Sequence, residues 1–216
     1  MELLSNSWQY ATAHRQEFTG AVLDHLAILG ISLSLALLIC LPLAVITSRK
    51  KVLSDRLINL IAGIRVVPSL AVLFLVVPYL GLSTWSAVFA LTLLAMPPIF
   101  INTTAAFQTL DPAVLEAGRG MGMTDRQLFW RVEAPLALPV ILSGVQTAAV
   151  EVTASATLAA FVGSGGLGIY ITRGFAQYDT AILLVGAVPV AILTILIENV
   201  LALAQKMLSP LNLQPT

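Results

Sequence analysis

Residues 26–46 read LAILGISLSLALLICLPLAVI, an apolar stretch without a single charge. Its 21 residues lie inside the roughly 17–25 that an α-helix needs to cross a bilayer. Membrane-barrel strands are shorter, about 9–11 residues, and alternate in polarity, which this run does not. Four similar stretches follow. Residues 57–82 are interrupted, among strongly polar side chains, only by Asn59 and Arg65; Trp85 to Ile101 contains Pro97-Pro98. Residues 136–162 enclose Glu151, and Ala181 to Ile197 continues weakly past Glu198 to Ala204. Composition agrees: 58% of the 216 residues are hydrophobic and 10% charged, with a mean hydropathy of +0.93, whereas soluble domains carry about 25% charged residues. The expected fold is all-α, a single transmembrane domain over residues 1–216 with five membrane-spanning helices.

The basic residues set a direction. Arg49, Lys50, Lys51 and Arg56 lie between the first two stretches, Arg119, Arg126 and Arg131 between the third and fourth, and Lys206 after the fifth. Five spans put all of these on one side, and the excess of Lys and Arg marks that side as cytoplasmic. Arg15 and Arg173 fall on the other side. The N terminus is therefore expected outside and the C terminus in the cytoplasm. Residues 1–20 lack the basic-then-apolar order of a signal peptide and read as an external, polar or interfacial arm. The net charge is zero, which gives no reason to expect a nucleic-acid partner. The single cysteine, Cys40, sits in an apolar run and reads as a packing residue.

Between the third and fourth stretches, residues 110–135 read LDPAVLEAGRGMGMTDRQLFWRVEAP. Asp111 suits a helix N-cap and Pro112 the first helical turn. A short helix from there is expected to end near the glycines, with a second beginning after Thr124. Ala117, Gly118, Gly120 and Gly122 leave room for another backbone to approach. Glycines at this density weaken a helix in isolation, so a docking surface would account for them.

This segment resembles the cytoplasmic signature of type I ABC-importer permeases: Glu-Ala-Ala, three residues, Gly, nine residues, Ile-x-Leu-Pro. Here Glu116, Ala117 and Gly118 are followed by Gly122 and by Val132-Glu133-Ala134-Pro135, with the spacing from Glu116 to Pro135 kept. Gly118, Val132 and Ala134 are small departures. Pro68-Ser69-Leu70-Ala71 and Ala159–Ile171, with its Gly163-Ser164-Gly165-Gly166-Leu167-Gly168 turn, resemble the osmoprotectant branch, which imports glycine betaine, carnitine, choline and related solutes. The resemblance covers about residues 17–210. It implies a coupling helix around Glu116, Ala117, Gly118, Gly120, Gly122 and Pro135 that docks on an ABC ATPase subunit. It also implies a second permease subunit, identical or not, an extracytoplasmic solute-binding protein, and a place in the bacterial inner membrane. This chain would hold no cofactor, with ATP-Mg bound by the partner ATPase. A permease for an amino acid or another small solute is the alternative within transport; a channel or scaffold without an ATPase is the alternative outside it.

Other motifs are weaker. The glycine-rich turn at 163–168 lacks the Gly-Lys-Ser/Thr of a phosphate loop. Gly118-x-Gly120-x-Gly122 lacks the strand–turn–helix setting of a dinucleotide site. His14 and His25 form no metal-ligand set with a cysteine or a carboxylate cluster, and no nucleophile–base constellation suggests an enzyme. Ionisable groups inside spans are expensive and usually face a cavity or the bundle interior. Arg65 and Glu198 share a depth of roughly 12 Å at about 1.5 Å per residue; they read either as a structural pair or as two side chains that snorkel separately to the cytoplasmic interface. Glu151 lies deeper, followed by Thr153, Ser155 and Thr157. It reads either as a hydrogen-bonded structural carboxyl or, with Pro68, Ser69, Pro97, Pro98 and Ser155, as lining of a translocation path.

Overall fold

A computed structural model describes residues Glu2 to Leu208. Residue 1 and residues 209–216 of the expected 1–216 domain lie outside the described residues. Ten α-helices are described, in chain order: α1 (Glu2–Ala13), α2 (Arg15–Ser48), α3 (Lys51–Ala62), α4 (Ser69–Leu80), α5 (Thr84–Gln108), α6 (Pro112–Gly120), α7 (Asp125–Leu128), α8 (Ala134–Ser155), α9 (Gly168–Gln177) and α10 (Thr180–Leu208). Shorter turns of tighter or wider helix join several of them.

Four helical stretches are long and apolar enough to cross a membrane: Arg15–Ser48, Thr84–Gln108, Asp125–Val162 and Thr180–Leu208. The stretch at 57–82, expected as one span, is instead a pair of helices bent by 95°. Its sequence supplies the cause. Proline has no N–H to donate and biases the residue before it away from helix. Ahead of Pro68, Val67 is extended at φ −80°, ψ 126°, after a 3-10 turn over Gly63–Val66.

Side-chain register decides whether this bent pair crosses or turns back. Thr92 Oγ1 donates to the Ser32 carbonyl at 3.4 Å, Cys40 Sγ lies 3.7 Å from the Met96 carbonyl, and Gln108 Nε2 donates to the Ser48 carbonyl at 3.4 Å. Rising numbers on α2 meet rising numbers on α5, so the two helices run parallel. The chain between them must therefore return across the layer, which makes α3–α4 a broken span. Antiparallel contacts continue the series. A Cβ on Gly144 of α8 would sit 2.7 Å from the Pro98 carbonyl of α5, and Gln205 Nε2 of α10 donates to the Pro139 carbonyl of α8 at 2.9 Å. Five crossings result. Arg49–Lys51, the 110–135 segment and Lys206 gather at one end of the bundle.

α5 is the central helix and packs on α2, α4 and α8. Its contact with α2 is close because small residues recur there: Ala36, Cys40 and Ala44 are fully buried against α5. Helix pairs in membranes pack through such small positions, so Cys40 is the packing residue expected of it. The described part of the expected arm, residues 2–20, packs on the rest of the bundle. α1 lies against α10, where Ser7 Oγ donates to the Ala181 carbonyl at 2.9 Å, and residues 15–20 already belong to α2. Arg173 of α9 ties this end together by donating to the Tyr10 hydroxyl at 3.2 Å and lying 3.7 Å from the Glu17 carboxylate. The hydrogen bond to Tyr10 holds the Arg173 pKa above its ordinary value.

Candidate functional site

Two features stand out, one at the basic end of the bundle and one along its side, at the broken span. The first is the 110–135 segment. Asp111 accepts a hydrogen bond from the Ala113 N–H at 2.9 Å and starts α6, as expected of an N-cap. The helix ends at a left-handed residue, Gly122, with φ +80°. There the Met123 N–H reaches the Gly118 carbonyl at 3.2 Å and the Gly122 N–H the Arg119 carbonyl at 2.9 Å, the bond pattern of a Schellman cap. Thr124 and Gln127 then form a reciprocal capping box that starts α7. A π-turn over Phe129–Glu133 follows, and the chain runs on into α8. Pro135 contributes to that widening, since it offers no N–H to the carbonyl four residues back.

The glycines of the segment serve different ends. Gly118 is buried, and a Cβ there would lie 2.6 Å from Leu128 Cδ1. This is a close approach, made within the chain between α6 and α7. Gly122 supplies a backbone angle, with nothing within 4 Å of a notional Cβ. Gly120 is likewise exposed and free of neighbours, but lies within the helix and has no left-handed angle to supply. It shares the outer surface of α6 with Val114, Glu116, Ala117 and Met121, all exposed.

An ion pair that sequence reasoning missed braces this segment to the bundle. Arg49, just past α2, donates to the Glu133 carboxylate at 3.1 Å, and Glu133 is buried while Arg49 is largely exposed. Phe107 of α5 stacks on Phe129 at 5.9 Å between ring centroids, and Gln108 donates to Ser54 Oγ at 2.9 Å. The one signal in the sequence was a glutamate, Glu133, at the variable position of the signature; spacing alone did not name its partner.

The second feature is a cavity of roughly 410 Å³ where the broken span meets α5 and α8. Pro68, Ser69, Pro97, Glu151 and Ser155 all line it, together with Arg65. Five of the six expected path residues are thus brought together. Pro98 is not among them: it is buried, with its carbonyl turned to Gly144 and Asn102 of α8 and α5. The candidate Arg65–Glu198 pair is corrected. Arg65 donates to Glu151, with which it forms an ion pair. Glu198 is exposed on α10, and its backbone carbonyl accepts from Gln146 at 3.5 Å. Equal depth was a sound reading of two straight helices, but depth carries no azimuth. The break at Pro68 puts Arg65 in a 3-10 turn that faces α8.

The glycine-rich turn after α8 is structural. Gly163, Gly165 and Gly166 have φ near +80° (76°, 80° and 79°), and a Cβ on Gly168 would stand 2.0 Å from the Thr157 carbonyl.

The sequence model of the family described as "Binding-protein-dependent transport system inner membrane component" matches residues 26–212. The chain belongs to this family. The permease is 37% identical over 206 residues to the choline transport system permease protein OpuBB of Bacillus subtilis, covering 95% of each chain. It is 37% identical over 187 residues to the carnitine transport permease protein OpuCB of Listeria monocytogenes, covering 87% of this chain and 86% of that one. Its fold is that of the inward-facing MetNI methionine ABC transporter, with a TM-score of 0.77 at 23% identity over 90% of this chain and 97% of that one. The permease is the inner-membrane subunit of an ABC-type importer. The family's description sets its inner-membrane component beside a binding protein.

Proposed function

We propose that the permease imports an osmoprotectant such as glycine betaine, carnitine or choline by alternating access, with its N terminus outside and its C terminus in the cytoplasm. The outer surface of α6, around Glu116, Ala117 and Gly120, docks on the ATPase subunit. Gly118, Gly122 and Pro135 hold that surface in shape. Solute released by the binding protein passes the cavity at the helix break, along Pro68, Ser69, Pro97, Glu151 and Ser155.

One observation carries this reading. Residues 125–162 form one continuous helical stretch, with Leu128 under the docking helix at one end and Glu151 in the cavity near the other. A displacement of α6 by ATP-driven closure of its partner thus has a rigid route to the cavity wall. The names of the relatives support the solute class. The basic end of the bundle supports the orientation, because Lys and Arg accumulate on the cytoplasmic side.

Uptake into proteoliposomes holding the permease, its ATPase and its binding protein tests the reading. ATP-dependent accumulation of labelled glycine betaine, competed by carnitine or choline, is the expected result. Competition by amino acids alone would move the permease to a different branch, and uptake without an ATPase would remove the importer reading.

A further inference from the structure

Resting on the reading of the cavity as part of the solute path, we propose that Arg65 and Glu151 form a solute-exchangeable ion pair that selects zwitterions over simple cations. The zwitterion would carry a carboxylate and a quaternary ammonium on one small molecule.

Two of the three ion pairs among the described residues, Arg49–Glu133 and Arg65–Glu151, differ in a way that bears on their roles. In the Arg49–Glu133 pair the glutamate is 8% exposed and packed away from solvent. In the Arg65–Glu151 pair both partners remain open to the cavity, at 45% and 41% exposure. A solute that enters the cavity reaches both charges. The remaining lining is apolar apart from Ser69 and Ser155, and among the described residues no other ionisable group borders it. Volume fits as well, since small-molecule sites span about 300–1,000 Å³ and this one is near the low end, at roughly 410 Å³.

Charge balance sets the selectivity. The internal pair sums to zero. A zwitterion can replace it with two new pairs, its carboxylate on Arg65 and its ammonium group on Glu151, and no charge is left alone. A simple cation engages Glu151 and leaves the Arg65 guanidinium without a partner. Once a solute fills the cavity and displaces its water, a charge left without a partner is penalised. The carboxylate end has further support. The first turn of α4 borders the cavity through Pro68 and Ser69, and its N-cap provides no side-chain acceptor for the free N–H groups. Broken helices in transporters present such positive ends to anionic parts of a solute. Among the described residues no aromatic ring lines the cavity, so they form no cation–π cage around the ammonium group, and the solute is free to leave.

The test compares glycine betaine with choline in proteoliposomes of the complete importer, supplied with a binding protein that delivers both. The readout is the ratio of their uptake rates, alongside ATPase stimulation by loaded binding protein. Arg65→Gln should lower the betaine-to-choline ratio by about tenfold, the size of a 1.4 kcal/mol difference between the two solutes. Glu151→Gln should hold or raise it. The double variant Arg65→Gln with Glu151→Gln leaves no stranded charge to disturb folding, and should also lower the ratio. An equal loss for both solutes in Arg65→Gln, or a wild-type ratio in the double variant, overturns the proposal. Wild-type importer that takes up neither solute removes the osmoprotectant reading and this selectivity with it, an outcome separate from an equal loss.

Discussion

At the scale of single residues, the glycines of the 110–135 segment carry the most specific expectations. Gly118 has no room for a side chain: Leu128, against which a Cβ would press at 2.6 Å, is itself fully buried. Gly118→Ala should destabilise the assembled permease by about 1–3 kcal/mol, the usual cost of overpacking, read as a lower melting temperature in detergent. Gly122 needs a left-handed backbone, which asparagine and aspartate adopt most readily after glycine. Gly122→Asn should therefore keep both the turn and transport. Gly122→Asp should keep the turn but add a carboxylate beside the docking surface, and uncouple ATP hydrolysis from uptake. Equal transport per ATP in the two variants would remove the docking role from this corner. The sequence announced that glycines matter here, yet it could not say which needs space and which needs an angle. Those are properties of the backbone path, and Gly118, Gly120 and Gly122 look alike before that path is known.

At the scale of elements, the long apolar helices were legible because their composition leaves them one environment. The break in the second span was legible only in part. Pro68 and Gly63 mark a weak point, but hydropathy does not encode a bend of 95°. Pairing failed for the same reason: Arg65 was placed against α10 by depth, whereas the bend turns it to Glu151 on α8. The caps of α6 and α7 were read from Asp111 and, more loosely, from the chain after Thr124. Thr124→Ala removes one side of the capping box and should cost about 1 kcal/mol, seen as faster hydrogen exchange over residues 125–128. In the proposed coupling route, the π-turn at Phe129–Glu133 lies between the docking helix and the cavity. Glu133→Gln weakens its tie to Arg49. It should lower solute moved per ATP while the ATPase subunit still co-purifies. Unchanged stoichiometry would confine that ion pair to packing.

At the scale of the whole molecule, orientation and coupling rest on one geometric fact. The parallel run of α2 and α5 makes the broken helix pair a true crossing, and so brings Arg49–Lys51, α6 and Lys206 to the same end. Charge counting along the sequence reached the same grouping, because basic loops follow a bilayer-wide rule and need no side-chain detail. The ATPase contact is where the account is most exposed. Cys40 is buried in the α2–α5 contact, so a new surface cysteine can be read with little background. The measurement is site-specific cross-linking of Gly120→Cys and Trp8→Cys permeases in native membranes. The account predicts that position 120 links to the ATPase subunit and resists a membrane-impermeant thiol reagent applied from outside, while position 8 reacts with that reagent and forms no such link. Outside labelling at position 120, with no cross-link to the ATPase, would contradict it.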